Sequence, residues 1–206
     1  NGIGYRNLLT LNYEAEKCKL NKNSKEDKIA TIDWTILEKH KEGLICLTGG
    51  STGIVNKYLS DCEPQLSEQE ALRFYELFGD DFALEMQPNN IVTDGYDQIA
   101  INQGLYRLHK KTGIKCVAAS GAKYINKESS TAQSLLYAIK THRPFKAKYA
   151  NRFAPSQYLH TAEDVIAFFK RNFGQEFAEQ LCAHSIELAN KCEDPKWVSP
   201  LYVTGK

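Results

Sequence analysis

The sequence lacks any apolar run approaching the length that crosses a bilayer. It also lacks the basic-then-apolar opening of a secretory leader, so the expected location is the cytoplasm. It does not begin with Met but with Asn1, which predicts a fragment or a processed piece. It has no excess of either charge. Its 26 Lys and Arg stand against 25 Asp and Glu, giving +1, which excludes the strongly basic balance of a stand-alone nucleic-acid binder and leaves only local basic patches. No two of its six cysteines are spaced Cys-x-x-Cys, which argues against a zinc ribbon or a dithiol redox pair. Those thiols read as reduced and partly buried, with Cys46 and Cys116 inside apolar runs. Internal repeats and low-complexity segments are absent.

What is present suits one α/β domain over residues 1–206, with about 141–206 as a helical extension. The stretch that organises the reading is Lys115-Cys116-Val117-Ala118-Ala119-Ser120-Gly121-Ala122-Lys123-Tyr124. It predicts a short buried strand ending in small residues. Ligands of α/β folds gather at such carboxyl ends. This one supplies no carboxylate, imidazole or thiolate beyond its strand, only a hydroxyl and an ammonium. Two further strands are expected, over Gly43–Thr48 and Phe82–Met86. Gly49, Gly50, Ser51, Thr52 and Gly53 follow the first. They suit a tight strand-to-helix turn or a phosphate-cradling loop, although the Gly-Lys-Ser/Thr ending of a P-loop is missing. Glu85 is the carboxylate on a strand, either catalytic or simply partnered.

Helices are expected from Gly4 through Cys18, after Asp33, after a Ser67–Glu70 capping box, from Asp94 or Gly95 to Gly113, and over Ala132–Ile139. Two more follow, one capped by Thr161 with Asp164 and a last one placing Phe177, Leu181, His184 and Leu188 on one face. His184 reads as a satisfied histidine, because no second His or Cys completes a metal spacing. Between these helices, His142, Arg143, Lys146, Lys148 and Arg152 alternate with Phe145, Tyr149 and Phe153. That mixture suits a surface loop pinned by its aromatics, or a contact for single-stranded nucleic acid.

Taken in order, these motifs resemble a known family. Gly4-Tyr5-Arg6-Asn7-Leu8 and Glu42-Gly43-Leu44-Ile45-Cys46-Leu47-Thr48-Gly49 look like the PHP (polymerase and histidinol phosphatase) domain of bacterial DNA polymerase III alpha subunits. Phe82–Gln87 resembles that family's Phe-Tyr-Leu-Glu-Leu-Gln strand, and Val117–Tyr124 its Val-Ala-Thr-Asn-Asp-Val-His-Tyr segment. Phe153–Leu159 and Ile186–Cys192 match later stretches. The resemblance implies a distorted seven-stranded (β/α) barrel, here partial, helix-rich and without its amino-terminal strands. It also implies a metal cluster for phosphoester hydrolysis in active members. The positions matching ligands of that cluster are Gly50, Asn89, Gly121 and Lys123, so the site is expected to be degenerate, without catalytic residues, metal or other cofactor.

The function so implied is a scaffold or subunit-docking segment of a replicative DNA polymerase, bacterial or phage-encoded. Its parent would be a DNA-directed DNA polymerase, while this chain alone is not catalytic. Expected partners are the remaining polymerase segments, a proofreading exonuclease, and DNA in the assembled enzyme through Arg143, Lys146, Lys148 and Arg152. No membrane partner is expected. The alternatives are an active metal-dependent phosphoesterase using Glu85, His109 and His142, and a stand-alone nucleic-acid-binding module.

Overall fold

The structure is a computed structural model and describes residues 1–20, 30–93, 96–140, 142 and 156–193. The chain forms two compact units, Asn1–Ile45 with Ala189–Lys206, and Cys46–Leu188. No helix among the described residues is long and apolar enough to cross a membrane.

The first unit holds α1 (Gly2–Leu20) and α2 (Trp34–Lys39). The Asn1 side chain accepts from the backbone N–H groups of Ile3 and Gly4 and satisfies donors that a helix start leaves open. Gly4 is required by contact. A Cβ there would lie 1.9 Å from the Gly43 carbonyl oxygen. Asn7 Nδ2 donates to the Glu42 carbonyl at 2.9 Å, so the Gly-Tyr-Arg-Asn motif clamps the backbone of 42–43 onto α1. Asp33 caps α2, its side chain accepting from Ile36 N–H.

The second unit is built on a parallel sheet in the order β1 (Cys46–Leu47), β2 (Phe82–Met86), β5 (Cys116–Ala118). The register pairs Cys46 with Phe82 and Leu84 with Cys116. Phe82, Ala83, Leu84 and Met86 are all buried, as expected of a central strand covered on both faces. Between the strands run α3 (Ile54–Ser60), α4 (Pro64–Phe78) and α5 (Gln98–Thr112), then α6 (Ser130–Lys140), α7 (Ala162–Phe173) and α8 (Gln175–Asn190). Ile101, Leu105 and Leu108 of α5, Phe169 of α7, and Phe177 and Leu181 of α8 close over the sheet strands in one core. Tyr106 meets Phe177 edge-on, with ring centroids 4.7 Å apart.

Two expected helix starts are corrected, and one expected helix turns inward a face other than its apolar stripe. Ser67 does not begin α4; the helix starts at Pro64, and buried Ser67 donates its hydroxyl to the Val55 carbonyl at 3.0 Å. A proline at the first helical position opens a helix earlier than the capping pattern does. The cap of α5 is Asp97, accepting from Ile99 and Ala100 N–H, after a short antiparallel pair β3 (Val92–Thr93) and β4 (Tyr96–Asp97). Helix α6 buries its small side, Ser134 and Ala138, and leaves Leu135, Leu136 and Ile139 exposed at 45%, 61% and 63%. The cap on α7 matches expectation: Thr161 and Asp164 exchange side-chain and backbone bonds as a full capping box.

Candidate functional site

The carboxyl ends of β1, β2 and β5 meet around one side chain, Gln87. Strand β1 stops at Leu47, and the next residue extends its edge by other means. Thr48 N–H donates to the Ala83 carbonyl, and the buried Thr48 hydroxyl accepts from Glu85 N–H at 2.8 Å. The glycine turn that follows is fastened from within. Buried Asn56 donates to the carbonyls of Gly49 and Gly50, and Gly53 N–H donates to the Gly50 carbonyl. A Cβ on Gly53 would lie 1.9 Å from the Thr48 oxygen. This is the tight turn, with its Gly53 donor spent internally rather than offered to a phosphate.

Beyond β2, the Gln87 carboxamide lies between the loops after β1 and β5. Its Nε2 donates to Glu85 Oε1 at 2.8 Å, and its Oε1 accepts from Asn89 Nδ2 at 3.2 Å. A Cβ built on Gly50 would sit 3.1 Å from Gln87 Nε2, and one built on Gly121 would sit 2.6 Å from Gln87 Oε1. The two glycines are what leave room for this amide.

A second layer is built of carboxamides and a phenol. Asn102 Nδ2 donates to the Gln87 carbonyl at 2.8 Å, and Asn102 Oδ1 accepts from Gln98 Nε2 at 2.9 Å. The Tyr96 hydroxyl donates to Gln98 Oε1. Burial pushes that hydroxyl up to about 12; a bond with Ser51 opposes the rise, and the Glu85 and Asp97 carboxylates add to it. Asn89 is 2% exposed, and its Oδ1 accepts from Ile91 N–H. Amides hydrogen-bonded to one another in a largely buried site rigidify it.

The structure thus brings Gly50, Asn89 and Gly121 together on Gln87, beside Glu85. Lys123 is exposed, and its backbone N–H donates to the Gln157 carbonyl at 2.8 Å. His109 sits in the last turn of α5, where its Nδ1 meets the Ile114 carbonyl at 2.8 Å and its ring packs on Phe177. His142 is exposed. His184 Nδ1 meets the Cys116 carbonyl at 3.0 Å, the satisfied histidine expected of it. Arg143, Lys146, Lys148 and Arg152 lie outside the described residues.

Hard divalent cations call for converging carboxylates and imidazoles. Among the described residues no three His, Cys, Asp or Glu come together. Glycines in two of the four positions and a buried asparagine bonded to Gln87 and Ile91 in a third do not fit the metal cluster that the resemblance implies. Nor do the thiols supply a ligand set. Burial pushes Cys46 up to about 11 and Cys116 higher still, holding both protonated at neutral pH. Sequence reasoning missed Gln87, Tyr96, Gln98 and Asn102 as members of the site. The available signal was the density of carboxamides on both sides of Pro88.

Comparison with known proteins agrees with the motif order. Residues 1–89 match the PHP domain family model. The DNA polymerase III subunit alpha of Aquifex aeolicus is 32% identical over 164 residues, covering 79% of this chain and 14% of that protein. The Borreliella burgdorferi subunit is 28% identical over 204 residues, covering 97% of this chain and 16% of its own length. The Thermus aquaticus subunit is 26% identical over 191 residues, covering 92% and 15%. The chain therefore spans about 15% of the length of these relatives.

Proposed function

From a chain that matches the PHP domain over its first 89 residues and resembles a segment of DNA polymerase III alpha subunits over most of its length, we propose a structural part of a replicative DNA polymerase in which the phosphoesterase site has been rebuilt as a packing element. The carrying observation is the Gln87 carboxamide, bonded to Glu85 and Asn89 in the space that Gly50 and Gly121 vacate. A carboxamide packed between the loops after β1 and β5 and bonded to Glu85 and Asn89 stiffens this end of the sheet and activates no water. In this reading the chain holds no resident metal or other cofactor, works in the cytoplasm of a bacterium or of a phage's host, and supports the remaining polymerase segments. A proofreading exonuclease docked on it, and DNA brushed by Arg143–Arg152 in the assembled enzyme, are further partners within the same proposal.

The rival phosphoesterase would draw on Glu85, His109 and His142. The Gln87 bond to Glu85, the carbonyl and ring contacts of His109 and the exposure of His142 weigh against it. The test combines metal analysis and phosphodiester hydrolysis on the purified chain with co-expression beside flanking polymerase segments. Expected are substoichiometric zinc and manganese, no hydrolysis, and recovery of the flanking segments through a tag on this chain. Two or more bound metal ions per chain, or metal-dependent hydrolysis, would revive the phosphoesterase. Tight, salt-resistant DNA binding with no segment recovered would favour a nucleic-acid-binding module.

A further inference from the structure

An open cleft with charged groups on its lining lies within the Cys46–Leu188 unit. It has a volume of about 530 Å³, and its lining includes Lys127, Tyr158, His160, Asp164, Phe168 and Arg171. The Gln87 amide is not among its lining residues. Among the described residues neither Lys127 nor Arg171 has an ion-pair partner. The carboxylate in the cleft is already engaged. Asp164 accepts from Thr161 N–H at 3.3 Å and bonds the Tyr158 hydroxyl. The Tyr158 and His160 rings pack with centroids 4.1 Å apart, tilted by 31°. Burial holds the His160 ring below its ordinary range, with the Asp164 carboxylate opposing, and its Nδ1 is buried without a hydrogen-bond partner.

Two cations and an aromatic pair are components that take a phosphate together with an attached planar ring, while the Asp164 carboxylate, which would repel a phosphate, is held by Thr161 and Tyr158. Lys and Arg supply charge-assisted bonds to phosphate oxygens. Aromatic faces take a base of any sequence. The volume falls within the range of small-ligand sites. We propose that this cleft binds a nucleoside monophosphate unit, with Lys127 and Arg171 on the phosphate and the Tyr158–His160 pair against the base. The unit comes either from a free nucleotide or from the phosphorylated end of a single strand. Binding here needs no metal and no chemistry, and it stands or falls separately from the scaffold reading.

The experiment is a titration of the full 206-residue chain followed by heteronuclear NMR, with dAMP, dTMP, deoxyadenosine, inorganic phosphate, and a tetranucleotide with and without a 5′-phosphate. Expected is millimolar or tighter binding of both nucleotides, with shifts at Tyr158, His160 and Arg171. The nucleoside and the phosphate alone should each bind about 10-fold more weakly. A phosphorylated tetranucleotide tighter than dAMP identifies a strand end, and equal affinity identifies the free nucleotide. The pair Lys127→Ala and Arg171→Ala should lose about 10-fold in affinity with an unchanged melting temperature. Arg171→Lys, which retains charge and loses the fork, should lose less. Tyr158→Phe should retain binding. Wild-type affinity in the double variant, tighter binding of a phosphotyrosine peptide than of dAMP, or no shifts at millimolar nucleotide would each overturn the proposal.

Discussion

At the scale of single residues, the geometry around Gln87 makes a quantitative demand. Gly121→Ala would place a methyl group 2.6 Å from Gln87 Oε1 and force the amide off Asn89 and Glu85. The expected loss is about 1–2 kcal/mol, since a flexible side chain can yield. In a Gln87→Ala background the same substitution should cost little, and urea unfolding of the four variants checks this coupling. Gly4→Ala is harsher, because its new carbon meets backbone at 1.9 Å; expect a loss of about 3 kcal/mol in the same assay. Alkaline pH provides a third test. Burial raises Cys46 from 9.0 to about 11 and Tyr96 from 10.0 to about 12. Folded protein keeps these protons while unfolded chain sheds them, so stability is full below pH 9 and falls as pH climbs through 9 to 12. Tyr96→Phe should flatten the upper part of that fall in a thermal melt series. The sequence has Gly, Asn and Gly at positions 50, 89 and 121, where the resemblance implies metal ligands. It did not show what replaced them, because a buried glutamine and a solvent-facing one look alike until loops distant in the chain converge on one.

At the scale of elements, hydrophobic runs and glycine stops located β2 and α5 well, because burial on both strand faces and a left-handed Gly113 end leave local traces. Helix starts were harder. Ser67 with Glu70 has the spacing of a capping box, yet Pro64 takes the helix start and sends the Ser67 hydroxyl to Val55. Ser67→Ala should therefore cost about 1 kcal/mol through a lost buried bond, with helix content near 64–66 unchanged; circular dichroism and amide exchange separate these effects. Thr161→Ala should act the opposite way, costing about 1 kcal/mol and raising exchange in the first turn of α7, where the capping box is intact. Helix α6 shows the limit of periodicity. The stripe Leu135, Leu136, Ile139 is real, but what packs inward is the small pair Ser134 and Ala138, since small residues permit close approach.

At the scale of the molecule, short strands alternating with long helices were enough to predict an α/β chain, and motif order was enough to predict the family likeness. The extent of the sheet was not legible, because strands of two to five residues carry too few side chains to set a period. The exposed apolar side of α6 makes a collective prediction. Leu136→Lys with Ile139→Lys should leave stability within about 0.5 kcal/mol, as exposed substitutions do, and lower light scattering at high concentration. A large drop in melting temperature would mean that those side chains are covered in solution.

Strand β2 also imposes a timetable. Its partners lie on either side of it in the chain, and each pairing closes a loop of about 35 residues. As the polypeptide leaves the ribosome, β1 waits for β2, and β2 then waits with one edge bare until Cys116 has emerged. At that moment the longest strand of the described sheet is paired on one edge only, and slow elongation through the α5 codons would prolong the exposure of the other.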